Sequence, residues 1–177
     1  MSENSKYRKS TIYHRIKINH EQFKSSIPDI SEITDGQFSL EHIKKEFHIT
    51  IFFPNRKNRK EEDHVIINHY DQELIDMEGD NVNIEILGIC FDTNVVALKV
   101  LVPDNLKKYS EIHKLYSDYN LEEDTTPKKI FHITYALKPG IKPVYSNTML
   151  HNEHTEIPLK IFVPGVIDRF YKKIKIK

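Results

Sequence analysis

Short runs of apolar and β-branched residues recur along the whole chain, and in most of them apolar and polar positions alternate. This alternation predicts β-strands that are buried on one face. Two stretches instead repeat apolar residues every three or four positions and predict helices, at residues 61–77 and from residue 103 onward. The predicted strands are residues 11–18, 45–53, 83–91, 95–102, 129–137, 157–164 and 170–177.

The segments between these elements carry turn and cap signals. Asn19 is a suitable N-cap for a short helix, and Pro28 with Asp35 and Gly36 predicts turns after it. Residues 39–45 predict one or two helical turns that lead into the second strand, and residues 138–157 resemble a loop. The polar, basic residues 1–10 predict a flexible tail, which leaves residues 11–177 as a single domain.

Charge and cysteine content limit the possible functions. The chain has 177 residues and equal numbers of basic and acidic side chains, 26 of each, so any contact with nucleic acid must be local. The one cysteine, Cys90, lies in an apolar run and is predicted to be a buried, unreactive thiol. The sequence shows neither a signal peptide nor an apolar run long enough to cross a bilayer, which favours a cytoplasmic protein that we expect to be a monomer.

The sequence Phe-His-Ile-Thr occurs twice, at residues 47–50 and again 84 positions later. Both copies lie in predicted strands, where alternate side chains share a face. Each copy therefore places one imidazole and one hydroxyl side by side, opposite an apolar face. The two pairs are His48 with Thr50 and His132 with Thr134.

Other interpretations of these histidines remain open. Each could be an ordinary strand histidine that is held by a hydrogen bond. His151 and His154 with Glu153, or His64 with His69, could indicate a metal, but neither set has a zinc-enzyme spacing with a third ligand, and we predict no metal. The five scattered glycines exclude a glycine-rich phosphate loop. An RNA-binding module without catalytic activity is the main alternative, since tyrosines and phenylalanines could stack on bases.

Two His-x-Thr motifs in apolar strands, about 80 residues apart in a chain of this size, resemble those of the 2H phosphoesterases. That superfamily includes RNA 2′,3′-cyclic phosphodiesterases, the 2′-5′ RNA ligases, and viral enzymes that cut 2′-5′ oligoadenylates or cyclic dinucleotides. The resemblance implies a bilobal α+β fold with two antiparallel-rich sheets, helices outside and a central cleft. It also implies that the four motif residues line the cleft and that neither metal nor cofactor is required.

The proposed chemistry explains why these residue types are needed. Opening a phosphodiester requires a base to activate water or a hydroxyl and an acid to protonate the leaving oxygen. Histidine titrates near neutrality, so His48 and His132 can hold opposite protonation states as the catalytic pair. The hydroxyls of Thr50 and Thr134 can donate to the phosphate oxygens, where negative charge increases in the transition state.

A basic loop follows the first motif strand. Because it starts close to Thr50 along the chain, we expect it to reach phosphates that flank the reacting one, although such a run is more often a solvated connection. Its cationic residues are Arg56, Lys57, Arg59 and Lys60.

The sequence therefore predicts a metal-independent phosphodiesterase that acts on RNA ends or oligonucleotides. RNA that ends in a 2′,3′-cyclic phosphate is the substrate most common in the resembled family. A 2′-5′-linked or cyclic oligonucleotide is the alternative, and the sequence does not distinguish between them.

Overall fold

A computed structural model describes residues 7–116 and 129–176. Within these residues, six antiparallel strands form a closed ring in the order β1-β2-β5-β4-β3-β6, and five short to medium α-helices accompany them. The strands are β1 (Tyr7–Ile18), β2 (Phe47–Phe52), β3 (Asn81–Phe91), β4 (Val95–Leu101), β5 (His132–Leu137) and β6 (Thr155–Lys175). The helices are α1 (His20–Ser26), α2 (Ile30–Ile33), α3 (Glu61–Asp76), α4 (Tyr109–Tyr116) and α5 (Tyr145–Leu150).

The ring consists of two sheets that share one long strand. The first half of β6 pairs with β3, and its second half pairs with β1, so the partner changes near Gly165 and Val166. One sheet is therefore β2-β1-β6 and the other is β5-β4-β3-β6. The predicted α+β architecture of antiparallel strands with helices is confirmed.

Gly165 lies where β6 passes from one sheet to the other. A Cβ atom at this position would lie 2.4 Å from Cγ2 of Ile16 and 3.2 Å from Cδ1 of Ile18. Real carbon atoms do not approach so closely, so only glycine lets β1 and β6 come together here. This close approach links the two sheets at one end of the ring.

The main core lies between the helices and one face of the two sheets. Ile16 of β1, Ile49 of β2 and Ile133 of β5 are fully buried there, together with Ile67 and Leu74 of α3. Helix α5 packs on the opposite face of β4, where Met149 and Leu150 form a second, smaller cluster with Val95 and Ala97.

Two prolines lie within β6, where the sequence predicts two separate strands. That prediction is wrong, because Thr155–Lys175 is one continuous strand. Proline cannot donate a ladder hydrogen bond, but it is tolerated on a strand that is paired along one side only. Pro158 and Pro164 lie in the half of β6 that pairs with β3, before pairing with β1 begins.

The remaining elements largely follow the sequence. The Asn19 side chain caps α1 by accepting from the backbone N–H of Glu21, as predicted. β1 begins at Tyr7, four residues earlier than predicted, and α5 forms within the predicted loop. Among the described residues, no helix is long and apolar enough to span a membrane.

Candidate active site

The two motif strands are direct neighbours in the ring. β2 and β5 run antiparallel, and Ile49 pairs with Ile133. These isoleucines are the third residues of the two Phe-His-Ile-Thr copies, and both are fully buried. The sheets are therefore joined at the centre of the repeated motif.

The register of this pair determines where the motif side chains lie. Because Ile49 and Ile133 are the paired residues of antiparallel strands, His48 and Thr134 flank this pair on one side, and Thr50 and His132 flank it on the other. The two histidines thus occupy diagonal positions, whose Cα atoms are typically about 7–8 Å apart. We call the face that carries these four residues the motif face. In β2 the predicted alternation is confirmed, because Phe47, Ile49 and Ile51 are buried while His48 and Thr50 are half-buried.

The His132 ring is held by its own strand. Nδ1 of His132 donates to the carbonyl oxygen of Ile130 over 2.8 Å. In the neutral imidazole this bond places the proton on Nδ1 and leaves Nε2 with a free lone pair. Nε2 is therefore the atom that can accept a proton from a substrate, or carry one when the ring is charged.

Thr134 is held in position by a residue of α5 that the sequence analysis did not identify. Its hydroxyl lies 2.8 Å from the hydroxyl of Ser146, which is fully buried. When Ser146 donates in this pair, the Thr134 hydroxyl keeps its own hydrogen for a phosphate oxygen. The signal was absent because the short helix α5 lies in a stretch that resembles a loop.

Both histidines have strongly lowered pKa values. Burial, and then the positive charges of Lys44, Arg15 and Lys129, lower the pKa of His48 to about 4. Burial and the charge of Lys129 lower the pKa of His132 to about 4, and His48 adds a smaller effect. A positive charge on His48 therefore lowers the pKa of His132, and the charge of Lys129 lowers the pKa of both rings.

A group of cations around the histidines is the main feature that the sequence analysis missed. Arg15 pairs with Thr50, and Lys17 pairs with His48, so both lie on the motif face. The internal repeat contained a signal for two more cations. Lysine occurs three positions before the histidine in both copies, at Lys45 and at Lys129.

A cavity of about 420 Å³ lies beside His48. β1, Asn19 and the segment from Lys45 to His48 form its walls. Besides His48, its polar groups come from Arg15, Lys17, Asn19, Lys45 and the acidic Glu46. An open, mostly cationic cavity next to an imidazole suits a phosphorylated ligand.

The basic loop divides into two parts. Arg56 donates to Asn68 and forms a 3.0 Å ion pair with Asp71 of α3, and Asp71 also bonds Nε2 of the buried His14. Nε of Arg59 donates to the carbonyl of Asn55. Arg56 therefore attaches the loop to α3, and Arg59 forms a hydrogen bond within the loop. The side chains of Lys57 and Lys60 are exposed.

The described residues include one group with metal-ligand chemistry, and it differs from the sets considered from the sequence. Ligand atoms of Cys90, His154 and Glu156 lie within 4.8 Å of one another. Lys99, however, forms a 2.7 Å ion pair with Glu156, and burial raises the pKa of the Cys90 thiol to about 12. Both features disfavour a metal cation at this place. Cys90 is buried with a raised pKa, which agrees with the buried, unreactive thiol that the sequence predicts.

Comparisons with known proteins show the family and the fold of the chain. A family model described as "Fungal tRNA ligase phosphodiesterase domain", a domain of the 2H phosphoesterase type, matches residues 3–160. Among solved structures, the "Crystal Structure of Fungal RNA Kinase" shares the fold with a TM-score of 0.61 at 16% sequence identity. The match covers 93% of this chain and 46% of that one. No curated protein matches the chain.

We predict that replacing Lys129 with Met raises the pKa of both His48 and His132, because its positive charge opposes protonation of each ring. Replacing Lys44 with Met is the matched control and should raise only the pKa of His48. Histidine titration by NMR measures both shifts. The interpretation is contradicted if Lys129→Met changes the pKa of one ring alone.

The same pKa values predict how stability depends on pH. Both folded values, about 4, lie below the ordinary value of 6.5, so between these limits the unfolded chain binds more protons. The contribution of these histidines to the free energy of unfolding therefore decreases as the pH falls through this window.

Proposed function

The chain belongs to the fungal tRNA ligase phosphodiesterase domain family, and we propose that it opens 2′,3′-cyclic phosphates at RNA ends without a metal. The observation that carries this proposal is the pairing of Ile49 with Ile133, which supports diagonal positions for His48 and His132 on neighbouring strands. Diagonal imidazoles can reach opposite sides of a single phosphorus atom. The family is one of hydrolases that process RNA.

The reaction needs two proton transfers. One imidazole removes a proton from water as the water oxygen bonds to phosphorus. The other imidazole, in its charged form, gives a proton to the 2′ or 3′ oxygen as its bond to phosphorus breaks. The product is a ribose with one free hydroxyl and one phosphate monoester, and the two histidines have exchanged protonation states.

The low pKa values are compatible with this mechanism because the substrate is an anion. In the free site, Lys44, Arg15 and Lys129 oppose protonation of His48, and Lys129 also opposes protonation of His132. A bound phosphate offsets these charges, so it raises the pKa of the adjacent imidazoles. Substrate binding thereby promotes the protonated state that the general acid requires.

The threonines complete the site. Thr50 and His132 flank the Ile49–Ile133 pair on one side, and Thr134 and His48 flank it on the other. We propose that both donate to non-bridging phosphate oxygens and stabilise the charge that increases in the transition state.

The first test uses purified protein in EDTA with RNA that ends in a 2′,3′-cyclic phosphate. His48→Ala and His132→Ala should each lower kcat by about 10²–10⁴-fold, as expected for general acid or base catalysis. Thr50→Ala and Thr134→Ala should cost about 10–10³-fold. His69→Ala, which changes an exposed histidine of α3, is the matched control and should have no effect.

Other results would favour the alternative functions. Turnover of 2′-5′ oligoadenylate or a cyclic dinucleotide, with no turnover of cyclic-phosphate RNA, would keep the mechanism and change the substrate. Binding of RNA without any product would contradict catalysis and indicate an RNA-binding module.

We also propose that the basic loop contributes to affinity through Lys57 and Lys60. Their exposed side chains are available to flanking phosphates, whereas Arg56 is engaged with Asp71. Replacing both lysines with Gln should weaken oligonucleotide binding and reduce its salt dependence by about 0.7 in slope for each lost contact. The chemical step at saturation should be unchanged.

The same double variant distinguishes a binding loop from a solvated connection. A mononucleotide cyclic phosphate has no flanking phosphate, so its KM should not change. Equal effects on the oligonucleotide and the mononucleotide, or no effect on either, would contradict the proposed contact. Arg56→Gln should instead lower the free energy of unfolding, because it leaves Asp71 without its second partner.

A further inference from the structure

Three rings form a row on the motif face, starting at the proposed catalytic histidine. The ring of Tyr13 in β1 stacks on His48 with a centroid distance of 5.6 Å and an interplanar angle of 30°. Phe170 of β6 stacks on the other side of Tyr13 at 5.3 Å and 23°. Tyr13 and Phe170 are also paired residues of adjacent strands, so the sheet register fixes the row.

The outer end of this row is open to solvent. Phe170 is 45% exposed. The guanidinium of Arg15 lies 5.8 Å from the Phe170 ring centroid and is held by two hydrogen bonds to Asp168. An exposed aromatic face is thus combined with a fixed cation beside it.

This combination matches a nucleotide rather than an isolated phosphate. Proteins bind unstacked RNA bases by stacking them on aromatic rings, with arginine or lysine near the sugar-phosphate backbone. Phe170 is separated from His48 by one ring, that of Tyr13, and the centroid distances along the row are 5.6 Å and 5.3 Å. One nucleotide in contact with both end rings can span this separation. A nucleotide whose phosphate lies at His48 can therefore place its base at Phe170.

We propose that Phe170, supported by Tyr13, is the binding site for the base of the terminal nucleotide, the one that carries the cyclic phosphate. This inference rests on the proposed function and adds a base preference to it. Stacking accepts every base, but the larger purine ring system covers more of the phenylalanine face. The wild-type protein should accordingly have a lower KM for adenosine 2′,3′-cyclic phosphate than for the uridine compound.

The test compares these two mononucleotides with wild-type protein and Phe170→Leu. Loss of one base–aromatic stack should raise KM for the adenosine compound by about 5- to 100-fold. The difference between adenosine and uridine should largely disappear, and kcat should change little. Phe170→Trp, which keeps an aromatic face, should restore a low KM.

Phe162→Leu is the matched control. Phe162 lies on the same strand, alternates to the same face as Phe170 and is 58% exposed, but it pairs with Glu85 in the other sheet. The Phe162→Leu variant should leave the KM values of both mononucleotides unchanged. Equal thermal stability of the two leucine variants would show that the KM effect is local.

Two outcomes would overturn the base site. The first is an unchanged KM for both mononucleotides in Phe170→Leu. The second is an effect that appears only with oligonucleotides, which would place an upstream base at Phe170. If wild-type protein turns over neither compound, the proposed function fails, and calorimetric binding of the adenosine compound to wild type and Phe170→Leu still decides the base site.

Discussion

The pairing of Ile49 with Ile133 is the contact on which the candidate site depends. Both isoleucines are fully buried under the helices, so the apolar core holds the two motif strands in one register. A shift of one residue would turn every motif side chain to the opposite face. The burial of two isoleucines therefore determines where the histidines and threonines lie.

Electrostatics provides the second constraint. The chain has no net charge, yet Arg15, Lys44 and Lys129 act together on His48. Concentrating cations in one place costs free energy in the empty protein because like charges repel one another, and it also opposes protonation of the imidazoles. The same charges favour a bound phosphate. The site is therefore less stable when empty than when it holds an anion, as is common for sites that bind charged ligands.

The sequence predicted the parts of the fold that depend on local patterns. Alternation placed β2 and β5, and Asn19 correctly indicated the start of α1. Prediction from the sequence failed where tertiary packing overrides the local pattern. The proline at position 164 suggested a strand end, but pairing on one side allows β6 to continue through it. The repeated motif identified the histidines and threonines, whereas Ser146 and Arg15 depend on cross-strand register and helix packing that no local pattern contains.

The central claim is that His48 and His132 act on one phosphorus atom. The most direct measurement is an NMR titration with uridine vanadate, which mimics the five-coordinate phosphorus of the transition state, while the signals of both rings are followed. The account predicts that both imidazoles shift together, saturate at one ligand per protein and give the same Kd. A shift of only one ring, or two different Kd values, would contradict it.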